Sequence, residues 1–551
     1  MSSEQQNIDF KENISIKEKI GFSLGDTASN LVWQTLMIFQ LYFYTDIFGL
    51  PPAVVGTMFL ITKIWDSIND PIMGLIADRT NSKWGKFRPY ILWLALPFAL
   101  FGVLAFTTPD LGLTGKIIYA YITYTLMMMV YTAINIPYSA LMGVISASPS
   151  QRASFSQYRF MFAFTGGLIV QALTLPLVNT IGVDNTDVFS AELINNEIIL
   201  TENGIGASKL VLNADLVDQE EPLTKNITVA IYRESQKDEI DTATDILYLK
   251  EGFGTHALKP EQYFDKAISS TQLSVQVINE AKGFQGTMIV FGIMAIIMFL
   301  TTFYSTKERV SPPKEQKTNI KSDFKDLVSN KPWVVLLFVG IISLAYVAIR
   351  YGSIMYYFKY YIEDESLVSA FLVSGTIVTI ISISFTEKLC NRFGKKKVVI
   401  VSQLITGFFT AMFFFVDKSN ITMIFALNII VSLASGPPAP ILFAMYTDTA
   451  SYSEWKNNRR ATGLIMSAST MAQKFGLTIG AALAGWILAF YGFKANSTQT
   501  ADAAYGILLM VSLIPAAGSF IVAGIMSFYQ LDNKTMDKIE GDLKARRELS
   551  K

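Results

Sequence analysis

The stretch Ile-Trp-Asp-Ser-Ile-Asn-Asp-Pro, residues 64–71, places two carboxylates four residues apart inside an otherwise apolar segment. Residues at positions i and i+4 of a helix share one face, so Asp66 and Asp70 can converge on one small cation. An ionised side chain within a bilayer is costly and is therefore usually paired or functional. Lys63 falls on the same face. Two interpretations stay open, a cation site or a salt bridge between Lys63 and Asp66 that joins helices.

The composition predicts a polytopic membrane protein, since 51% of the 551 residues are hydrophobic and 16% are charged. A bilayer-spanning helix needs about 20 apolar residues. Segments of that kind lie near residues 20–45, 53–77, 88–107, 115–145, 156–181, 284–306, 333–362, 366–388, 396–416, 420–447, 460–492 and 503–530. We expect no cleavable signal peptide, because residues 1–19 are polar. The single cysteine, Cys390, excludes an intrachain disulfide.

Basic residues are concentrated in alternate loops between these segments. The loops near residues 79–88, 307–325, 392–397 and 456–460 hold 17 of the 45 lysines and arginines, whereas the short loops between them have almost none, with Lys418 and Lys494 as exceptions. By the positive-inside rule, these loops and both termini are expected to be cytoplasmic. The even number of predicted spans agrees with that orientation.

Two loops in equivalent places of the chain carry similar glycines and charges. One follows the second segment, with GLIADR at residues 74–79 and GKFR at 85–88; the other follows the eighth, with NRFGKKK at 391–397. This pattern resembles the loop signature of the major facilitator superfamily, whose two six-helix halves enclose a central substrate site. The resemblance implies an all-α membrane protein with twelve transmembrane helices in two halves.

Further stretches resemble the glycoside-pentoside-hexuronide:cation symporters, the family of melibiose permease. They are GFSLGD at residues 21–26, LYFYTD at 41–46, WDSINDP at 65–71, WGKFRP at 84–89, INIPY at 134–138, YRF at 158–160 and DTASYSEW at 448–455. These stretches are spread over most of the chain. Their order and spacing make the resemblance specific.

The resemblance implies a coupling-cation site made by Asp66, Asn69, Asp70 and a fourth-helix threonine, Thr132. Oxygen ligands suit Na⁺, for which Asp66 and Asp70 would be the charged ligands, and a carboxylate can take a proton instead. The coupling ion is therefore expected to be Na⁺ or H⁺, with no other cofactor.

The family's sugar site is built around a first-helix aspartate and a fifth-helix arginine, which Asp26 and Arg159 match. Charge-assisted hydrogen bonds from such a pair can hold sugar hydroxyls. An ion pair that only joins two helices is the alternative. Lys474 matches a family lysine that faces the carboxylate cluster, and we include it among the substrate-binding residues.

Asn135 and Ser139 also fall in the substrate region that the resemblance implies, on the fourth segment. Melibiose permease has aspartate and tryptophan at these positions, so melibiose or another galactoside does not follow as the substrate. Arg350 lies within the seventh segment, where a substrate carboxylate or a nearby acidic residue is its expected partner. Rings that could stack on a sugar are Trp33, Tyr124, Tyr131, Tyr138 and Tyr346, of which we place Tyr131 in the site.

A polar insertion of about 100 residues, 183–283, separates the fifth and sixth segments and is expected outside the cytoplasm. Alternating runs at 209–212 and 227–232 predict short strands in it. A lid or docking module over the cavity and a loosely ordered spacer both fit its composition. The predicted organisation is residues 1–182 (helices 1–5), 183–283 (insertion), 284–306 (helix 6), 307–332 (cytoplasmic linker), 333–530 (helices 7–12) and 531–551 (cytoplasmic tail).

The sequence thus predicts a secondary active transporter, a symporter of a glycoside, pentoside or hexuronide with Na⁺ or H⁺ that works by alternating access. It is expected in a bacterial inner (plasma) membrane as a multi-pass monomer, with a small sugar, a cation and the lipid bilayer as partners and no nucleic acid. A cation-coupled lysolipid transporter is the alternative, followed by a non-transporting membrane sensor. An enzyme is not expected, because the chain has one cysteine, one histidine outside the spans and no metal-ligand cluster.

Overall fold

The computed structural model describes residues 14–146, 149–184, 189–194, 197–202, 209–216, 223–233, 246–249, 255–258, 268–309, 327–457 and 462–549. The helices of the first half are α1 (Ile16–Tyr42), α2 (Pro52–Arg79), α3 (Arg88–Ala105), α4 (Leu113–Ile145), α5 (Pro149–Ile181) and α6 (Glu280–Ser305). Helix α1 ends in a π-helical turn, Phe43–Ile47. All six lie where the sequence predicts spans.

The second half contains α7 (Lys331–Tyr356), α8 (Leu367–Ile383), α9 (Thr386–Phe393), α10 (Lys395–Met412), α11 (Ile421–Ser435), α12 (Pro438–Asn457), α13 (Thr462–Phe490), α14 (Ala501–Val511) and α15 (Leu513–Met526). Helix α7, like α1, ends in a π-helical turn, Tyr357–Ile362. The C-terminal helix α16 (Asn533–Leu549) packs against α12, and Trp455 Nε1 donates a hydrogen bond of 2.9 Å to Asp542 Oδ2.

Three spans that the sequence predicts as single segments are interrupted in the structure, between α8 and α9, α11 and α12, and α14 and α15. The last two pairs still form one apolar span each, Ile421–Lys456 and Ala501–Met526. The second break has a clear cause, because Gly436 and Pro437 precede the proline that opens α12, and proline cannot continue a helix. Gly436 also packs closely, since a Cβ there would lie 2.9 Å from Ser382 Cβ. The α8–α9 break bends the chain by 49°.

Within the described residues, nine helices are long and apolar enough to cross a membrane, and the bent α8–α9 pair makes ten. Helices α1 and α2 have 27 and 28 residues, which also suffices to cross a bilayer. Their polar side chains include several that face the protein interior, among them Ser23, Thr27, Thr62 and Asp66. The fold is the twelve-helix, two-half membrane architecture expected.

Helix packing repeats from one half to the other. In the first half α1 packs on α5 and α6, and α3 packs on α6; in the second, α7 packs on α13 and α15, and α10 packs on α15. The halves meet through α1 with α7, α2 with α13, and α5 with α8. The α2–α13 contact is close, because a Cβ on Gly485 would lie 2.6 Å from the backbone oxygen of Pro52.

The described parts of the insertion form eight strands: β1 (Val183–Asp184), β2 (Phe189–Ile194), β3 (Glu197–Glu202), β4 (Lys209–Leu216), β5 (Leu223–Arg233), β6 (Ile246–Leu249), β7 (Thr255–Leu258) and β8 (Ile268–Ile278). They form one sheet of order β1-β8-β4-β5-β6 and another of order β2-β3-β7. Both runs for which the sequence predicts strands lie in strands, β4 and β5. Pairing of Val183 with Ile278 joins the end of α5 to the start of α6.

The loop between α2 and α3 is held by a carboxylate from the end of the sixth span. Glu308 accepts hydrogen bonds of 2.9, 2.8 and 3.0 Å from the backbone N–H groups of Lys86, Phe87 and Arg88. Gly85 has φ of +107°, and a Cβ there would lie 2.4 Å from Glu308 Cδ. Glycine is therefore required at this turn, both for its backbone conformation and for space.

Candidate functional site

The two carboxylates of α2 converge on one hydroxyl of α4. Thr132 Oγ1 lies 2.7 Å from Asp66 Oδ1 and 3.0 Å from Asp70 Oδ1. A hydroxyl carries one proton, so it can donate fully to only one carboxylate at a time. Asp66 is 3% exposed and Asp70 is partly exposed. The structure thus brings together three of the four residues expected to hold the cation.

Asn69, the fourth residue, is partly exposed on α2. None of the hydrogen bonds found among the described residues involves its side-chain amide. Those residues also contain no cluster of three or more His, Cys, Asp or Glu side chains that could hold a metal ion. Among the residues that the structure describes, the acidic part of the site therefore consists of two carboxylates, and the Thr132 hydroxyl is the neutral oxygen that contacts both.

Two ammonium groups border these carboxylates. Lys474 of α13 bonds Asp70 Oδ2, and its Nζ lies 3.9 Å from Asp66 Oδ2. Lys63 Nζ lies 3.8 Å from Asp66 Oδ2 and 4.6 Å from the centroid of the Trp33 ring. The pair of Lys63 and Asp66 foreseen as an alternative exists, but at a long distance. With every group ionised, the four charges of this cluster cancel.

A second polar cluster joins α1, α4 and α5. Arg159 contacts both oxygens of Asp26, with Nε 2.7 Å from Oδ2 and Nη2 3.0 Å from Oδ1. Tyr138 donates a hydrogen bond of 2.6 Å to Asp26 Oδ2, and its ring lies 4.9 Å from the guanidinium carbon of Arg159. Tyr138 was foreseen only as one of several rings that could stack on a sugar. Its bond to the aspartate could not be predicted from the sequence.

The remaining α4 residues lie along one face of the helix. Asn135 Oδ1 accepts a hydrogen bond of 2.9 Å from Ser29 of α1. Ser139, one turn further along, is exposed. The Tyr131 ring packs against Trp33 with centroids 4.9 Å apart. Asn135 and Ser139 share the face of Thr132. Along α4, Asn135 lies between Thr132 of the carboxylate cluster and Tyr138 of the Asp26 cluster, and Ser139 directly follows Tyr138.

Arg350 of α7 lies apart from both clusters. It lines a cavity of about 400 Å³ whose other lining residues belong to the second half, except Phe164 of α5. Arg350 Nη2 lies 3.4 Å from Asn428 Oδ1, and its guanidinium stacks 5.3 Å from the Phe413 ring centroid. Among the described residues no carboxylate lies within 4 Å of this guanidinium, so the acidic partner foreseen as an alternative is not found there.

A third cluster, which was not predicted from the sequence, lies at the end of the bundle where α1 and α7 finish. Asp46 and Lys359 occupy the two π-helical turns, with Nζ 3.5 Å from Oδ1. Lys359 also donates to Tyr42 Oη at 2.9 Å and to Asn496 Oδ1 at 3.0 Å, and Tyr360 bonds Asp46. We call these five residues the Asp46 gate. Charged residues flanked by aromatic ones were the only signal of it in the sequence.

Comparison with known proteins gives consistent matches. Residues 21–201 and 266–533 match the family described as MFS/sugar transport protein. The chain is 32% identical over 536 residues to the inner membrane symporter YicJ of Escherichia coli K12, covering 96% of this chain and 95% of the relative. It is 29% identical over 538 residues to the putative glycoside/cation symporter YagG of the same organism, covering 96% and 95%.

Among solved structures, a bacterial homologue of the human lysosomal transporter Spinster, in an inward-facing and occupied conformation, gives a TM-score of 0.56. The match has 12% sequence identity and covers 93% of this chain and 96% of the other. At that identity the likeness shows the fold alone.

Proposed function

Because the chain belongs to the MFS/sugar transport protein family, we propose that it is a symporter that couples sugar entry to a Na⁺ or H⁺ gradient by alternating access. The family and the relatives are membrane transporters, not enzymes, and the chain is a multi-pass bacterial membrane protein. The similarity to YagG, a putative glycoside/cation symporter, supports a glycoside as the sugar. We further propose that the transporter works as a monomer with both termini in the cytoplasm.

One observation carries the coupling proposal, namely that the carboxylate cluster joins the two halves. Asp70 belongs to α2 of the first half, and Lys474 belongs to α13 of the second. A cation that occupies the carboxylates competes with the Lys474 ammonium for the same oxygens. Cation binding therefore weakens the contact between Asp70 and Lys474 that joins the halves. The affinity for sugar then changes, because it depends on how the two halves are positioned relative to each other. By linkage, sugar and cation then raise each other's affinity.

The charge of the cluster bears on the coupling ion. Both carboxylates already have an ammonium within 4 Å, so an added Na⁺ leaves one uncompensated positive charge unless a lysine moves away. A proton on Asp70 also releases Lys474, and it needs no additional ligands. Both ions thus act on the same contact, that of Asp70 with Lys474, which must break and form again during alternating access.

The Asp26 cluster is the proposed sugar site. A carboxylate and a guanidinium that share two bonds present further acceptors and donors to vicinal hydroxyls. On α4, Asn135 extends the polar surface from Tyr138 toward Thr132, and Ser139 extends it in the opposite direction. Tyr131 contributes an apolar ring, to which a pyranose face can bind.

The arrangement of the two halves supports an inward-facing state. The described hydrogen bonds between the halves lie at the Asp46 gate, near Trp486 and Thr57, between Thr376 and Gln171, and at the level of Asp70. The helix ends at the Asp46 gate are those opposite the termini. With the termini in the cytoplasm, this gate closes the extracytoplasmic side of the cavity.

Transport by purified protein in liposomes tests the proposal. We expect accumulation of a labelled glycoside when a Na⁺ or H⁺ gradient is imposed, and its loss in Asp70→Asn with retained sugar binding. Asp364→Asn, on an exposed loop, serves as the matched control. Accumulation of a lysolipid in place of every sugar would overturn the substrate class. Gradient-independent ligand binding without any accumulation would favour a sensor.

A further inference from the structure

The cavity around Arg350 has the properties of a separate ligand site. Its volume of about 400 Å³ falls within the range of small-molecule pockets, which is roughly 300–1,000 Å³. It is lined by residues of α7, α8, α10, α11, α12 and α13, with Phe164 closing one side. None of Asp26, Arg159, Asp66 and Asp70 lines it. The cavity therefore shares none of these four residues with the proposed sugar and cation sites.

The polar groups of this cavity are incompletely satisfied. Ser343 Oγ and Thr406 Oγ1 line it and are buried, and neither has a hydrogen-bond partner among the described residues. Buried hydroxyls are almost always hydrogen-bonded, so such orphans indicate a missing partner. Gln403 also lines the cavity, and it accepts a hydrogen bond of 3.0 Å from Tyr346. A ligand with several hydroxyl groups would satisfy Ser343 and Thr406.

The charge of the cavity specifies a second property of the ligand. Arg350 contacts a neutral amide, Asn428, and an aromatic face, Phe413, and interacts electrostatically with three nearby tyrosines, Tyr346, Tyr351 and Tyr357. Within the described part of the chain, no carboxylate lies within 4 Å of it. A guanidinium in a membrane interior needs an anionic or strongly polar partner. Its two parallel N–H groups match a carboxylate, which they can hold with two hydrogen bonds.

We propose that this cavity is a second subsite, which binds a hydroxylated carboxylate through Arg350, Ser343 and Thr406. The carboxylate is either the acidic part of the transported glycoside or a separate hydroxy acid. The proposal rests on the proposed sugar transport only in the first case. In both cases Arg350 determines a preference for an anionic over a neutral polyol.

Equilibrium binding to the purified full-length chain tests the subsite without requiring transport. The probes are glucuronate, glucose as its neutral counterpart, and acetate as a carboxylate without hydroxyls. We expect glucuronate to bind at least tenfold more tightly than the other two. Arg350→Gln should lose that preference by about 10- to 100-fold, in line with a charge-assisted hydrogen bond. Arg546→Gln, which removes an exposed guanidinium, should retain it.

A second variant keeps the test decisive if Arg350→Gln does not fold. Thr406→Val preserves shape and removes one orphaned hydroxyl, so glucuronate affinity should fall while acetate affinity stays constant. Equal affinity for glucuronate and glucose in the unmodified protein would overturn the proposal, and so would a preference that survives in Arg350→Gln.

The Asp26→Asn variant distinguishes a carboxylate that is part of the transported glycoside from one on a separate hydroxy acid. Loss of glucuronate binding in that variant identifies the carboxylate as part of the ligand that also occupies the sugar site, whereas retained binding identifies a separate acid. Failure of symport is distinguishable from failure of the subsite, because it would leave the glucuronate preference intact while abolishing gradient-driven accumulation.

Discussion

Replacing Lys359 by methionine should open the Asp46 gate. The ammonium lies 3.5 Å from Asp46 Oδ1, a separation at which two unit charges attract by about 5 kcal/mol at an effective dielectric constant of about 20. Both side chains are largely buried, at 11% and 0% exposure. Breaking a buried pair by removing one partner costs roughly 3–5 kcal/mol, because the other charge is left uncompensated. When the gate is open, water hydrates the Asp46 carboxylate, so the loss of its partner destabilises the closed state only.

The expected shift in the open-to-closed ratio is roughly 100- to 4,000-fold, since about 1.4 kcal/mol corresponds to a factor of ten. Thiol alkylation can measure it. Ala484 is 1% exposed and lines a small cavity to which both halves contribute. A cysteine at this position, in a Cys390→Ser background without other thiols, should react with a hydrophilic maleimide only when the gate opens. Lys359→Met should accelerate that reaction until the open state predominates.

Lys418→Met is the matched control, because Lys418 also pairs with an acid, Glu363, at 2.7 Å. Those side chains are 52% and 61% exposed, so their pair contributes at most about 1 kcal/mol. Adding Asp46→Asn to Lys359→Met should slow labelling again, since no unpaired charge remains. Equal labelling rates in Lys359→Met and Lys418→Met would refute the assignment of this cluster as a gate.

Three further perturbations address other parts of the molecule. Arg159→Lys keeps the charge but loses the two-bond contact with Asp26, so the apparent sugar affinity, measured from thermal stabilisation by sugar, should fall by at least about tenfold. Unchanged stabilisation would contradict a sugar site there. Gly485→Val should force α2 and α13 apart at a cost of about 1–3 kcal/mol and raise the labelling rate of the cysteine at position 484. Gly74→Ala, with open space around it, should leave that rate unchanged. Equal labelling in the two variants would count against the close contact. Glu308→Gln should destabilise the α2–α3 turn by about 1–3 kcal/mol through weaker bonds to three backbone N–H groups, and an unchanged unfolding temperature would show that the charge is not needed.

The sequence was sufficient to predict the helices but not their meeting points. Apolar length placed all twelve spans, and the spacing of Asp66 and Asp70 correctly put both carboxylates on one face. Helical periodicity contains no information on which helices meet, so the contact of Thr132 with both carboxylates followed only from a family resemblance. The glycine followed by two prolines at residues 436–438 indicates a helix break. The segment around them is nevertheless long and apolar enough to be predicted as one continuous span.

Residues far apart in the chain account for most of what was missed. Asp46 and Lys359 are separated by 313 positions, and each alone resembles an ordinary charge near a helix end. The same holds for Tyr138 and Asp26, 112 positions apart. Such pairs depend on how whole helices pack, which is decided by many small contacts such as those of Gly485. Local sequence patterns contain little of that information.

The pairing of Val183 with Ile278 has a practical consequence for engineering. Residues opposite each other in an antiparallel pair have Cα atoms about 5 Å apart, so the insertion leaves and rejoins the membrane part at nearly one point. Both connections belong to helices of the first half. A short hairpin turn could therefore replace the eight strands without moving α5 or α6, and a reporter domain with adjacent termini could be grafted in the same place.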